Sequence, residues 1–399
     1  MTFLPQYPFF PEPVLLFGLL LLAGIAGGEL VNRAFNLPRI VGYILTGLLL
    51  GASGLNLFDQ LLVDESWIFL EIALGLVLFE LGRRLHLDWL ANDRWLLATS
   101  LFECTLSFVL IYLALTALDV RPIHATVAAA IGISTSPAVV LLVAQELKAE
   151  GQVTERALNL TALNSVVAFV LATMLLAWIH HDYQASLSMV ILHPVYLLSG
   201  SVLLGYAASA AAIGLSRLFG KQAERQFIML IALIVLTIGA ARMLELSVLL
   251  ALLTFGVFCR NVDRRYELMA VDLTSVGQMF YVVLFVVGGA KLNFADLLTG
   301  GAIGLVYVVA RFIGKSVGVM TLTPLSGVRT GIAGLLCIAL TPMSGLALAM
   351  VHQTTILYPE FGAELASIVV SAVLILELVG PLAVQFALKR AGEARAEEK

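Results

Sequence analysis

The chain has 399 residues, of which 60% are hydrophobic and only 13% charged. A soluble protein carries about 25% charged residues, so this composition excludes a soluble globular, disordered or collagen-like chain and points to a bilayer. The net charge of −4 leaves no basic footprint for nucleic acid. Cys104, Cys259 and Cys337 stand far apart in apolar runs and fit neither a metal spacing nor a disulfide framework.

About 20 apolar residues carry a helix across the hydrocarbon core. Thirteen apolar segments are expected on this measure, at 13–31, 38–53, 66–82, 95–118, 124–146, 157–179, 190–216, 226–244, 246–259, 268–290, 297–322, 330–352 and 363–388. The first has no basic flank and follows Pro11-Glu12-Pro13, so it reads as a span, not a cleaved leader. Its small residues, Ala23 to Gly28, permit close helix contact. The fourth carries Glu103. The fifth is interrupted by Ser134-Thr135-Ser136-Pro137, and the sixth carries Asn164-Ser165. Arg311 and Lys315 lie four apart inside the eleventh, on one helix face. A basic residue at mid-membrane costs about 2.5–3.5 kcal/mol on insertion scales, so either one snorkels to the interface or pairs structurally, or at least one faces a polar ion pathway. The twelfth is interrupted by Thr341-Pro342-Met343-Ser344, and the thirteenth holds Glu377 near its middle. Beyond it only a short charged tail, 389–399, is expected, with no soluble regulatory domain.

The distribution of charge supports an odd number of spans. With the N-terminus outside, 18 of the 23 basic residues fall on the inner side, and only Arg121, Arg242 and Lys291 fall outside. That bias is what the positive-inside rule requires, and it places the C-terminus in the cytoplasm. The two proline-bearing breaks also correspond. If segments two to six form one repeat (38–179) and nine to thirteen another (246–388), each break falls in the fourth member. The repeats are then inverted. Paired broken helices in matching positions point to a transport site near the midplane.

Leu37-Pro38-Arg39-Ile40-Val41-Gly42-Tyr43, with Gly47 and Gly51, and the run Leu74 to Gly82 have their own recognisable patterns. So do Arg311-Phe312-Ile313-Gly314-Lys315 and Glu377-Leu378-Val379-Gly380-Pro381. With the paired breaks, they make the chain resemble the monovalent cation:proton antiporter superfamily, which includes sodium/proton exchangers and potassium-efflux antiporters. The resemblance implies an all-α polytopic protein with crossing discontinuous helices, in which a core domain moves against a dimerisation domain. It further implies a homodimer, a bacterial inner membrane, alternating access, and a monovalent cation competing with protons for one site. On this basis the expected transport residues are Ser134, Thr135, Ser136, Pro137, Asn164, Ser165, Arg311, Lys315, Thr341, Pro342 and Ser344, with Glu103 and Glu377 as candidate proton or charge partners.

The departure lies in the chemistry. The family's fifth segment usually has Thr-Asp-Pro where this chain has Thr135-Ser136-Pro137, and its sixth usually has Asn-Asp where this chain has Asn164-Ser165. Serine can coordinate a cation but adds no charge. Three consequences stay open from the sequence. The site takes an anion or organic acid; Glu103 or Glu377 supplies the missing charge; or Lys315 itself titrates. A non-transporting membrane sensor is a further alternative to a sodium or potassium antiporter. No cofactor motif, no metal site beyond a monovalent cation and no enzyme signature is present.

Overall fold

The structure is a computed structural model describing residues 13–51, 53–55, 67–85, 87, 93–182, 187–220, 222–263, 268, 274–292 and 294–395. Apart from one short 3-10 turn at Thr323–Ser326, the described elements are α-helices. In chain order they are α1 (Pro13–Phe35), α2 (Arg39–Leu50), α3 (Trp67–Arg84), α4 (Arg94–Thr116), α5 (Pro122–Gly132), α6 (Pro137–Glu146), α7 (Gln152–Asp182) and α8 (Leu187–Phe219). They continue with α9 (Ala223–Met243), α10 (Val248–Val262), α11 (Thr274–Lys291), α12 (Phe294–Leu322), α13 (Thr330–Ala339), α14 (Gly345–Leu357) and α15 (Pro359–Arg390). Among the described residues eight stretches are long and apolar enough to cross a membrane, with 122–146 counted as one, and four shorter apolar helices accompany them. The protein is an integral membrane protein.

Local chemistry sets the helix ends. Proline opens α5, α6 and α15 at the first turn, where its missing N–H costs nothing. Asp93, Ser136 and Ser247 cap α4, α6 and α10 through their side chains. After α1 the chain reverses through Asn36, at φ 54°. Asparagine tolerates this left-handed conformation better than most residues. Hydropathy underestimates the longest helices. The expected segment 157–179 lies within a 31-residue helix, and 363–388 within one of 32. Their extra turns are polar and extend beyond the apolar window. For the expected segment 268–290, the described helix starts at Thr274, and 269–273 lie outside the described residues.

The helices pack in two groups. One joins α4 to α7 with α12 to α15, and the other joins α1 to α3 with α8 to α11. The broken helix lies deep in the bundle: 94% of the most apolar window in 122–146 is buried, against 17% for α1. Four glycines allow two close and matching crossings in the second group. A side chain on Gly47 would strike the Val286 carbonyl, and one on Gly289 would strike Ile44. A side chain on Gly256 would strike the Phe79 carbonyl, and one on Gly82 would strike Leu253. The contact of α2 with α11 therefore has a counterpart in that of α10 with α3, about 208 residues away in register. The small residues of α1 are used within the chain: Gly27 and Gly28 abut Thr46 and Tyr43 of α2, and Gly24 abuts Val286.

Candidate functional site at the helix crossing

The interruptions read from the sequence are real breaks. Helix α5 ends at Gly132 and α6 starts at Pro137; α13 ends at Ala339 and α14 starts at Gly345. The two unwound stretches meet. Ser136 N–H donates to the Pro342 carbonyl at 2.9 Å, and the Ser136 and Ser344 hydroxyls lie 2.5 Å apart. Ser136 also accepts from Val139 N–H at 3.4 Å, capping α6. Ser344 makes no such cap for α14, its hydroxyl being turned to Ser136. Ser134 donates to its own helix at Ile131, 2.7 Å away.

Each break leaves carbonyls without helical partners, and in the bilayer these must be satisfied internally. Arg311 does this for both breaks at once. Its Nε donates to Gly132 at 2.9 Å, one terminal nitrogen to Thr341 at 2.7 Å, and the other to Ser134 at 2.7 Å and Pro342 at 3.2 Å. A helix C-terminus carries about half a negative charge, so the two C-termini together match one guanidinium. One turn earlier, Tyr307 donates to Ala128 at 2.9 Å and ties α12 to the same half-helix. Arg311 is thus the clamp of the crossing, with four of its N–H donors committed to backbone.

Lys315, one turn further on, is also committed. Its Nζ lies 3.0 and 3.3 Å from the two carboxylate oxygens of Glu103, and both residues are buried. Helices α4 and α12 come close enough because Gly314 and Gly318 face Ser107 and Glu103. On α12, one charge therefore holds carbonyls and the other a carboxylate.

Asn164 and Ser165 sit beside the first break. Asn164 donates to the Thr135 hydroxyl at 3.4 Å and accepts from Ser100 at 3.2 Å and Cys104 at 3.3 Å. Ser165 donates to Thr161 on its own helix at 2.7 Å and approaches the Thr135 carbonyl at 3.4 Å. No carboxylate joins this group among the described residues. Sequence reasoning missed Ser100, Cys104 and Tyr307. The last was detectable, since Tyr307, Arg311 and Lys315 recur every four residues as a polar row on an apolar helix.

Glu377 is treated differently. It is 3% exposed, and its Oε2 has no hydrogen-bond partner among the described residues. It lines a cavity of about 290 Å³ together with Ser344 and Gly345 at the start of α14. Towards the opposite end of the bundle, a second cavity of about 610 Å³ is lined by Glu29, Arg39 and Glu146. There Arg39 pairs with both acids, at 3.0 and 3.1 Å.

The family model for the transmembrane sodium/hydrogen exchanger matches residues 17–390. No curated protein matches the sequence. Among solved structures, the sodium proton antiporter MjNhaP1 from Methanocaldococcus jannaschii is similar in fold. Its structure at pH 8 has a TM-score of 0.71 at 14% identity, covering 94% of this chain and 95% of that one. An electron-microscopy structure of the same antiporter has a TM-score of 0.76 at 15% identity, covering 97% of this chain and all of that one.

Proposed function

The chain belongs to the transmembrane sodium/hydrogen exchanger family, and we propose that it exchanges a monovalent cation, sodium or potassium, for protons by alternating access. The observation that carries this reading is the crossing of two broken helices, clamped by Arg311 and joined through Ser136 and Ser344. Broken helices buried in a bundle place backbone dipoles where an ion can be held without water. The cavity lined by Ser344 and Gly345 gives the crossing a route of approach.

Each broken pair counts as one span, which makes thirteen, with the N-terminus outside and the C-terminus in the cytoplasm of a bacterial cell. The inverted repeats, 38–179 and 246–388, draw support from the matched glycine crossings. The group containing α5, α6, α13 and α14 is the moving core, and the other group is the frame through which the protein forms a homodimer. The ion site works without the usual aspartates, since Ser136 and Ser165 occupy their places. Transport of an anion would need a free buried cation, and the commitment of Arg311 and Lys315 counts against it.

The test is transport by purified protein in liposomes with a pH gradient. An inward sodium or potassium gradient is expected to drive protons out, and lithium or rubidium serves as a size probe. Proton movement that follows an anion gradient and ignores every monovalent cation would reject the proposal.

A further inference from the structure

We infer that Glu377, with the Ser344–Gly345 start of α14, is the site where this protein exchanges a proton for a monovalent cation. The inference rests on the exchanger reading above and names the group that replaces the absent aspartates. Three observations carry it.

The first is the position. Glu377 lies near the middle of α15, and three residues on, Gly380 packs against Pro342 of the second break, where an added Cβ would fall 2.9 Å from Pro342 Cα. The carboxylate is therefore one turn from the crossing. The second is the absence of a partner. Burying an ionisable group is costly unless it is paired, and Oε2 has no hydrogen-bond partner among the described residues. Other candidates are occupied. Glu103 is held by Lys315, and Glu146 by Arg39. The third is access. The cavity reaches from Lys291 and the exposed His352 to Glu377. Gly288 of α11 leaves space on its wall, since a Cβ there would lie 3.6 Å from Glu377 Oε1.

The cavity runs between the two packing groups. Leu70 and Phe285 come from the frame side, and Ser344 and Glu377 from the crossing side. Rearrangement of one group against the other would thus alter access to the carboxylate. Besides Glu377, the titratable groups lining this cavity are Lys291 on α11 and His352 on α14; Arg311 and Lys315 on α12 are engaged elsewhere, with the break carbonyls and Glu103. The open start of α14 complements negative charge at this place.

The exchange is simple to balance. The Glu377 carboxylic acid releases its proton to water in the cavity, leaving a carboxylate. Sodium or potassium then binds the carboxylate oxygens, the Ser344 hydroxyl and water, which are hard oxygen ligands suited to such cations. One proton leaves as one cation enters, and the charge of the site is unchanged.

The experiment has two readouts. In proteoliposomes, Glu377→Gln is expected to reduce cation-driven proton movement at least tenfold, with Glu377→Asp keeping part of it. On wild-type protein in detergent, dicyclohexylcarbodiimide attacks protonated buried carboxyls. Labelling of Glu377, read by peptide mass, is expected to fall when sodium or potassium is added and not when choline is added. Exchange by Glu377→Gln within twofold of wild type would overturn the inference while leaving the exchanger reading intact. Wild-type protein inert to every monovalent cation would overturn the exchanger reading. Should Glu377→Gln fail to fold, labelling of wild type indifferent to cations would overturn the inference by itself.

Discussion

The charges on α12 and the carboxylate on α15 are equally buried and live in different electrostatic worlds. Arg311 donates to four backbone carbonyls, and Lys315 faces Glu103 at 3.0 Å. Glu377 has an oxygen with no partner among the described residues, and it faces a cavity. A charge whose partners are fixed holds structure together. A charge whose partner is missing is free to take one from solution. The difference separates scaffold charges from the proposed working site.

The largest expected effect is at Arg311. Arg311→Gln removes the charge that matches two helix C-termini and leaves buried carbonyls short of donors. A stability loss of about 3–5 kcal/mol is expected, the range for stripping one side of a buried charged contact. Thermal melting in detergent measures it, and Arg311→Lys should recover only part because an ammonium cannot span both breaks. A variant as stable as wild type would remove the clamp from the account.

Glu103→Gln comes next. It leaves Lys315 buried without a counter-charge, again at a cost of up to about 3–5 kcal/mol. The double variant Glu103→Gln/Lys315→Gln should be more stable than Glu103→Gln alone, because no unpaired charge remains. Melting of the two single variants and the double gives the coupling directly. An additive cycle would mean that the pair does not interact. The smallest effect is at Ser136. Ser136→Ala loses the contact with Ser344 and the cap on α6. Its cost should be about 1–2 kcal/mol, since a single neutral hydrogen bond or cap is worth about 1 kcal/mol and two are lost.

Much of this was legible in the sequence, for physical reasons. Proline with neighbouring serine and threonine at matching positions of two apolar runs points to paired breaks, and both breaks are there. Charges as deep as Arg311 and Lys315 had to be accounted for. Their partners were not legible. Lys315 meets Glu103 across 212 residues, and only because Gly314 and Gly318 let α4 approach α12. The role of Arg311 required counting the carbonyls that the breaks release, which hydropathy ignores. The sequence left Glu103 and Glu377 as equal candidates for the missing charge. They differ in what stands next to them in space, and no spacing along the chain encodes that. The small residues of α1 suggested contact between helices, and that contact turned out to lie within the chain, against α2 and α11.

The most direct test places both kinds of charge in the same liposomes. Cation-driven proton movement is measured for Glu377→Gln and for Glu103→Gln/Lys315→Gln, each alongside its melting temperature. The account predicts that Glu377→Gln stays folded and loses exchange at least tenfold, while the double variant keeps exchange within about threefold of wild type despite its altered melting. Exchange that survives in Glu377→Gln and vanishes in a well-folded double variant would contradict it, and would move the working charge from α15 to α12.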